Sequence, residues 1–206
     1  MKDSISPLDG RYSSETEELL PYFSERALIR YRIKVEIEYL IALSKEKTLV
    51  GLPAFTKKQE ATYRKIYSNF NTSTAKEVKK VEQRTNHDVK AVEYYIRSKV
   101  NKSIHPWVHF ALTSEDVNNL SYTLMWRDAL KKVYIPQLTQ VLKDLKTLSN
   151  KYADTAMLSM THGQPATPTT FGKEIRVFVN RIERQINGIN KHKFLGKFGG
   201  ATGTWS

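Results

Sequence analysis

Apolar positions recur every three or four residues through most of this chain, the spacing that gives a helix one buried face. Between Ser24 and about Lys47, Ile33, Ile37, Leu40 and Ile41 follow it. Ile33-Val35-Ile37-Tyr39 also alternates as a strand would, but the length of the run and its lack of turn signals favour a helix. Gly51-Leu52-Pro53 breaks it, and Thr56-Lys57-Lys58-Gln59 has capping-box spacing ahead of a face made by Tyr63, Ile66, Tyr67 and Phe70. A short helix is expected from Thr74 to about Glu82. Another opens at Thr85-Asn86-His87-Asp88, with Val89, Val92, Ile96 and Val100 inward.

The longest run begins at Thr113-Ser114-Glu115-Asp116 and continues from Val117 to about Lys151. Tyr134, Leu138, Val141, Leu145 and Leu148 step by four and three, as a bundle seam does. Pro136 inside this run predicts a kink or a local break. Thr167 is then a candidate N-cap with Pro168 at the first helical position, ahead of Phe171, Ile175, Phe178, Ile182, Ile186 and Ile189 on one face to about Lys191. Residues 1–22 read as extended or irregular, and 196–203 as a glycine-rich loop. The expected class is all-α, with a small helical domain over 1–107 and the first long helices of a truncated bundle over 108–206. The boundary lies where Ser103, Pro106 and Trp107 interrupt the pattern.

Composition narrows the chemistry. The 206 residues are 40% hydrophobic, enough for a real core. There is no cysteine, so disulfides and cysteine-based zinc sites are excluded, and the five histidines include no pair at metal-ligand spacing. No metal is expected. No segment has a signal-peptide core or the apolar run of a membrane span, which makes the cytoplasm the default and a membrane partner unexpected. The formal charge of +12 favours anionic partners. Lys57-Lys58, Lys79-Lys80 and Lys131-Lys132 are scattered pairs without interleaved aromatics, so a polynucleotide partner is not expected and a small anion is favoured.

Four stretches carry candidate chemistry. Ser159-Met160-Thr161-His162-Gly163-Gln164-Pro165-Ala166-Thr167-Pro168 sets an imidazole, hydroxyls and an amide in a segment stiffened by two prolines, a plausible mount for a proton donor. By itself it better fits a plain helix connection whose His162 caps a carbonyl. Helix starts at Thr85 and Thr113 offer free N–H groups and a positive dipole end to anions, although Thr85, Asp88, Thr113 and Asp116 are also ordinary caps. Arg11-Tyr12 follows the Asp9-Gly10 turn signal, and can fork onto a phosphate or carboxylate or simply pin an arm. The glycine-rich end is neither a phosphate-binding loop nor a dinucleotide fingerprint, since it lacks a closing Gly-Lys-Ser/Thr and a preceding strand.

Taken together, Pro7-Leu8-Asp9-Gly10-Arg11-Tyr12, the stretch from Arg84 to Tyr94, the stretch from Thr113 to Leu120, and Thr161–Pro168 resemble, in the same order, the signatures of the bacterial-type adenylosuccinate lyases of the fumarase/aspartase superfamily. Those enzymes are all-α homotetramers with a central helix bundle shared between subunits, and they use no cofactor. They release fumarate from adenylosuccinate and from the succinylated aminoimidazole carboxamide ribotide of purine synthesis. The resemblance implies His162 as general acid. It implies that Arg11, Tyr12, Asn86, His87, Asp88, Thr113, Ser114, Thr161 and Gln164 bind or steady a succinylated purine nucleotide. The general base of the family sits on a serine-bearing loop with a Met-Pro-x-Lys-x-Asn signature that this sequence does not contain. The chain is therefore expected to be the N-terminal part of such an enzyme and inactive alone. The competing expectations are another lyase of the superfamily, such as one acting on argininosuccinate, and a basic helical nucleic-acid-binding protein.

Overall fold

The structure, a computed structural model, describes residues 5–203; the start of the expected irregular N-terminal stretch, residues 1–4, lies outside them. Among the described residues, eight α-helices and one two-stranded ribbon follow in the order α1 (Leu20–Phe23), α2 (Glu25–Leu43), α3 (Lys57–Ser68), α4 (Thr72–Thr85), α5 (Asp88–Lys99), α6 (Ser114–Ala129), α7 (Ile135–Lys151), β1 (Ala156–Thr161), β2 (Gln164–Thr170) and α8 (Phe171–Lys191). The described residues form two compact units, one of residues 5–128 with 195–203 and one of 129–194. This division falls at a different place from the 107/108 boundary suggested by the sequence.

The first unit is built around α2. Its N-cap is Ser24, whose hydroxyl accepts the Ala27 N–H at 3.1 Å. Ala27, Ile29, Ile33, Val35, Ile37 and Leu40 are all buried, although they lie on several faces of the helix. A helix that buries residues on several faces is packed on several sides, which is why Ile33-Val35-Ile37 mimics a strand. Phe55, Tyr63, Val78, Val92 and Ile96 supply the surrounding core from α3, α4, α5 and the segment before α3. The capping box at Thr56 forms as expected, Gln59 N–H reaching the Thr56 hydroxyl and Gln59 Oε1 taking the Thr56 N–H.

Two helix boundaries differ from expectation. Helix α4 starts at an Asn71 cap whose partner is Thr74, and it runs on to Thr85. Thr85 thus ends α4 instead of opening α5. Asn86 closes α4 in the left-handed conformation, and His87 caps α5. The kink or local break expected at Pro136 within the run over 117–151 takes the form of a π-helical turn at Leu130–Tyr134. The physical reason is Pro136, which lacks an N–H; the altered turn places it in the first turn of α7, where no donor is missed.

In the second unit α8 packs along α7 through Leu142, Ile175, Val179 and Ile186, with Leu138, Leu145 and Ile182 against them. Gly172 makes the closest approach. A Cβ there would lie 2.3 Å from the Ser149 carbonyl oxygen, and the Ser149 hydroxyl donates to the Gly172 carbonyl at 2.8 Å. The expected seam divides. Leu138 and Leu145 are covered, whereas Tyr134, Val141 and Leu148 remain 49, 48 and 38% exposed.

Candidate active site

The stretch read from sequence as a loop between helices is a β-hairpin. Strands β1 and β2 pair antiparallel with Thr161 opposite Gln164, which leaves His162-Gly163 as a two-residue turn. His162 has φ 50° and Gly163 φ 76°. Positive φ at both central positions matches the right-handed twist of the flanking strands, and glycine in the second position makes it cheap. The ladder shifts register between Leu158 and Met160, and the Ser159 hydroxyl donates across to the Thr167 carbonyl at 2.5 Å. Pro165 and Pro168 sit in β2, where a two-stranded ribbon tolerates residues without an N–H. Thr167 is therefore a strand residue, correcting its reading as N-cap. The cap of α8 is Thr170, which accepts the Lys173 N–H at 3.2 Å. The result is an exposed imidazole at the tip of a stiff ribbon, with no hydrogen-bond partner among the described residues. Such a tip can present a proton to a ligand.

In the first unit the motifs meet around Arg32. This buried cation on α2 contacts the Asp88 carboxylate at 2.6 Å through Nη2, and its Nε donates to Asn118 Oδ1 at 2.9 Å. It thereby joins the 84–94 stretch to the 113–120 stretch. Burial pushes the Asp88 carboxyl up, but the Arg32 charge, the Val89 N–H and the Arg32 hydrogen bond outweigh it and hold the group below its usual range. His87 Nδ1 accepts the Lys90 N–H at 3.2 Å. In the neutral ring the proton then sits on Nε2, so the cap leaves a donor on the outer edge of the imidazole. Asn86 sits beside it in the left-handed region at φ 50°.

Thr113 and Ser114 open α6, and the Thr113 N–H is taken by Asp116 Oδ2 at 3.0 Å. Asn118 and Asn119, unexplained by capping, have separate tasks. Asn118 receives Arg32, whereas Asn119 pairs with the backbone of Lys197, accepting its N–H at 2.8 Å and donating to its carbonyl at 3.1 Å. Arg11 lies over the Tyr12 ring at 5.5 Å, within a turn that runs from Ser6 to Thr16. The contacts described for this pair tie it to its own turn and not to Asn86, His87 or Thr113.

Sequence reasoning missed Arg32, Glu36 and His109. Glu36 is buried and contacts His109 Nδ1 at 2.5 Å. Burial lowers the His109 pKa, but the hydrogen bond that His109 makes to Glu36 and the charges of Glu36 and Glu93 reverse this, and the net direction is upward despite Lys90. A signal was present: Arg32 and Glu36 are charged residues four apart, on a face otherwise filled by Ile29, Ile33 and Ile37. Among the described residues no group of three or more His, Cys, Asp or Glu side chains is placed to hold a metal. No helix among them is long and apolar enough to cross a membrane.

A profile of the family described as Lyase matches residues 10–206. This chain belongs to the lyase family. The Legionella pneumophila (strain Corby) adenylosuccinate lyase is 44% identical to it over 99% of the chain, the Dictyostelium discoideum one 46% over 97%, and the Escherichia coli (strain K12) one 39% over 98%. The chain spans about half the length of these relatives, 46, 45 and 46% respectively. Among solved structures, fumarate lyase from Mesorhizobium sp. BNC1 matches with a TM-score of 0.73 at 19% identity, over 92% of this chain and 43% of that one. A β-carboxy-cis,cis-muconate cycloisomerase from Acinetobacter calcoaceticus matches at 0.68 and 20%, over 92 and 44%. At these identities the two structures share the fold of this lyase-family chain.

Proposed function

We propose that the full-length enzyme is an adenylosuccinate lyase, cleaving adenylosuccinate to AMP and fumarate and releasing fumarate also from the succinylated carboxamide ribotide. The observation that carries this reading is an identity of 38–46% to relatives named adenylosuccinate lyase, sustained over nearly all of this chain. The reaction is a β-elimination. A base removes the proton from the carbon beside a carboxylate, the electron pair forms the fumarate double bond, and the C–N bond breaks as an acid protonates the departing nitrogen.

On this reading His162 is the acid, since the hairpin turn exposes its ring to a ligand. Thr161 and Gln164, the pair that closes that turn, flank the acid. The Nε2 side of His87, with Asn86 and Asp88 beside it, binds substrate. Thr113 and Ser114 bind a carboxylate at the start of α6, and Arg11 and Tyr12 hold the nucleotide. No residue of 1–206 is assigned the base, so this stretch alone would not turn over. The enzyme would be a cytoplasmic homotetramer needing neither cofactor nor metal and binding no polynucleotide. The row of Tyr134, Val141 and Leu148 supports assembly through α7. The sequence division into 1–107 and 108–206 stands as the proposed domain organisation.

Fumarate release by the purified full-length enzyme from adenylosuccinate, from the carboxamide ribotide and from argininosuccinate tests the reading. Turnover of the two purine substrates is expected. Turnover of argininosuccinate alone would assign the chain to another lyase activity.

A further inference from the structure

Two buried carboxylates grip the loop that ends at Thr113 and Ser114, one at each end. The loop is strained: His109 has φ 66° and Ala111 φ 56°, neither being a glycine. Residues with a Cβ resist that region, and such conformations persist only where the surroundings over-determine them. At the entry, Glu36 Oε1 holds His109 Nδ1 at 2.5 Å, while Glu36 Oε2 is buried without a hydrogen-bond partner among the described residues. At the exit stands Asp116, with no exposed surface.

Asp116 does more than cap α6. Capping uses one oxygen, Oδ2, on the Thr113 N–H. The other, Oδ1, accepts the Gly199 N–H at 3.0 Å and meets the Lys197 ammonium at 3.1 Å. Asparagine is as good a cap and would be cheaper to desolvate; a carboxylate here serves three donors at once. The glycine-rich segment is seated along the same face of α6. The Thr123 hydroxyl donates to the Leu195 carbonyl at 3.0 Å and Asn119 clasps Lys197. A Cβ on Gly196 would lie 2.2 Å from Leu120 Cδ2, so a side chain there would have to push the Leu120 tip aside.

We propose that Asp116 and Glu36 are positioning residues. Glu36, through His109, and Asp116, through the Thr113 N–H, hold the 109–114 loop in its strained form, and Asp116 fastens the 197–200 segment to the same turn. The inference rests on the reading that Thr113 and Ser114 bind the substrate. Neither carboxylate need touch the ligand; each sets where those two hydroxyl-bearing residues stand.

The test is steady-state kinetics of fumarate release by the full-length enzyme and its Asp116→Asn and Glu36→Gln variants, with helix content followed by circular dichroism. Loss of positioning for groups that bind ground state and transition state alike raises KM about tenfold in each variant and leaves kcat within about threefold. A merely structural role lowers the melting temperature and the amount of active enzyme while KM stays put. Folded variants with KM within about twofold of wild type overturn the proposal. Lys197→Met guards against a variant that fails to fold, because it removes only the ammonium at Asp116 Oδ1. Its KM is expected to rise about two- to threefold, and an unchanged KM there overturns the proposal as well. A wild-type enzyme that releases no fumarate from either purine substrate overturns the functional reading, and this inference with it. An active wild type with unmoved variants overturns the inference alone.

Discussion

The two units bury their apolar residues in different ways. In the first, α2 buries residues on several faces against α3, α4 and α5, and Ile33, Ile37 and Leu40 have almost no exposed surface. In the second, α7 and α8 cover only each other. Leu142 and Val179 are enclosed, but Tyr134, Val141 and Leu148 stand seven residues apart on an open row, as do Phe171 and Phe178 on α8. A seven-residue apolar repeat is what a helix shows to another helix, so the exposed row is the surface on which the proposed assembly would rest. Periodicity identifies the residues that avoid water; it does not say whether their own unit or another helix provides the cover.

The sharpest contrast between the units is chemical. His162→Gln changes an exposed turn residue with no described partner, so stability should hold while kcat of the full-length enzyme falls about 10²- to 10⁴-fold. If the change instead raised KM with kcat intact, His162 would not be the acid. Packing comes next. Ile37→Ala empties part of a closed core and should cost about 2–5 kcal/mol in denaturant unfolding. Val141→Ala, on the open row, should cost the fold only about 0.5 kcal/mol while weakening assembly in sedimentation. Equal costs would erase the distinction drawn between the units.

Gly172→Ala tests the closest approach in the second unit. The added methyl meets the Ser149 carbonyl, and overpacking of this kind costs roughly 1–3 kcal/mol. A neutral effect would mean that α7 and α8 can move apart freely. The smallest effect concerns pH. The folded pKa of His109 is raised above the ordinary 6.5, so its pairing with Glu36 stabilises most fully below that value and is lost as pH rises through the raised one. The difference in melting temperature between wild type and His109→Gln should therefore shrink from mildly acidic to alkaline pH. A difference that grew with pH would reverse the sign assigned to the pair.

Much of the fold was legible because local signals agreed with the global arrangement. The Thr56 box, the break at Gly51-Leu52-Pro53, the inward faces of α3 and α5 and the Ile175, Ile182 and Ile186 part of the α8 face form where the pattern placed them. The hairpin was not legible. Its prolines argued against a strand, and His162-Gly163 is a turn pair whose flanks do not alternate clearly between apolar and polar residues. The second helix start failed for a related reason. Thr85 and Asp88 have cap spacing, but the α4 ladder extends to Thr85, and His87 serves as the cap instead.

By itself, then, the sequence determined which segments are helical, which residues avoid water and which four stretches carry candidate chemistry, because helix periodicity, capping and motif order are properties of neighbours along the chain. Only the tertiary structure decided that Arg32 spans Asp88 and Asn118, that Glu36 holds His109 and that Asp116 reaches Gly199. Those contacts join residues tens of positions apart. A buried charge is tolerated only where its partners have already been folded into reach, and no local pattern can announce a partner that arrives from another helix.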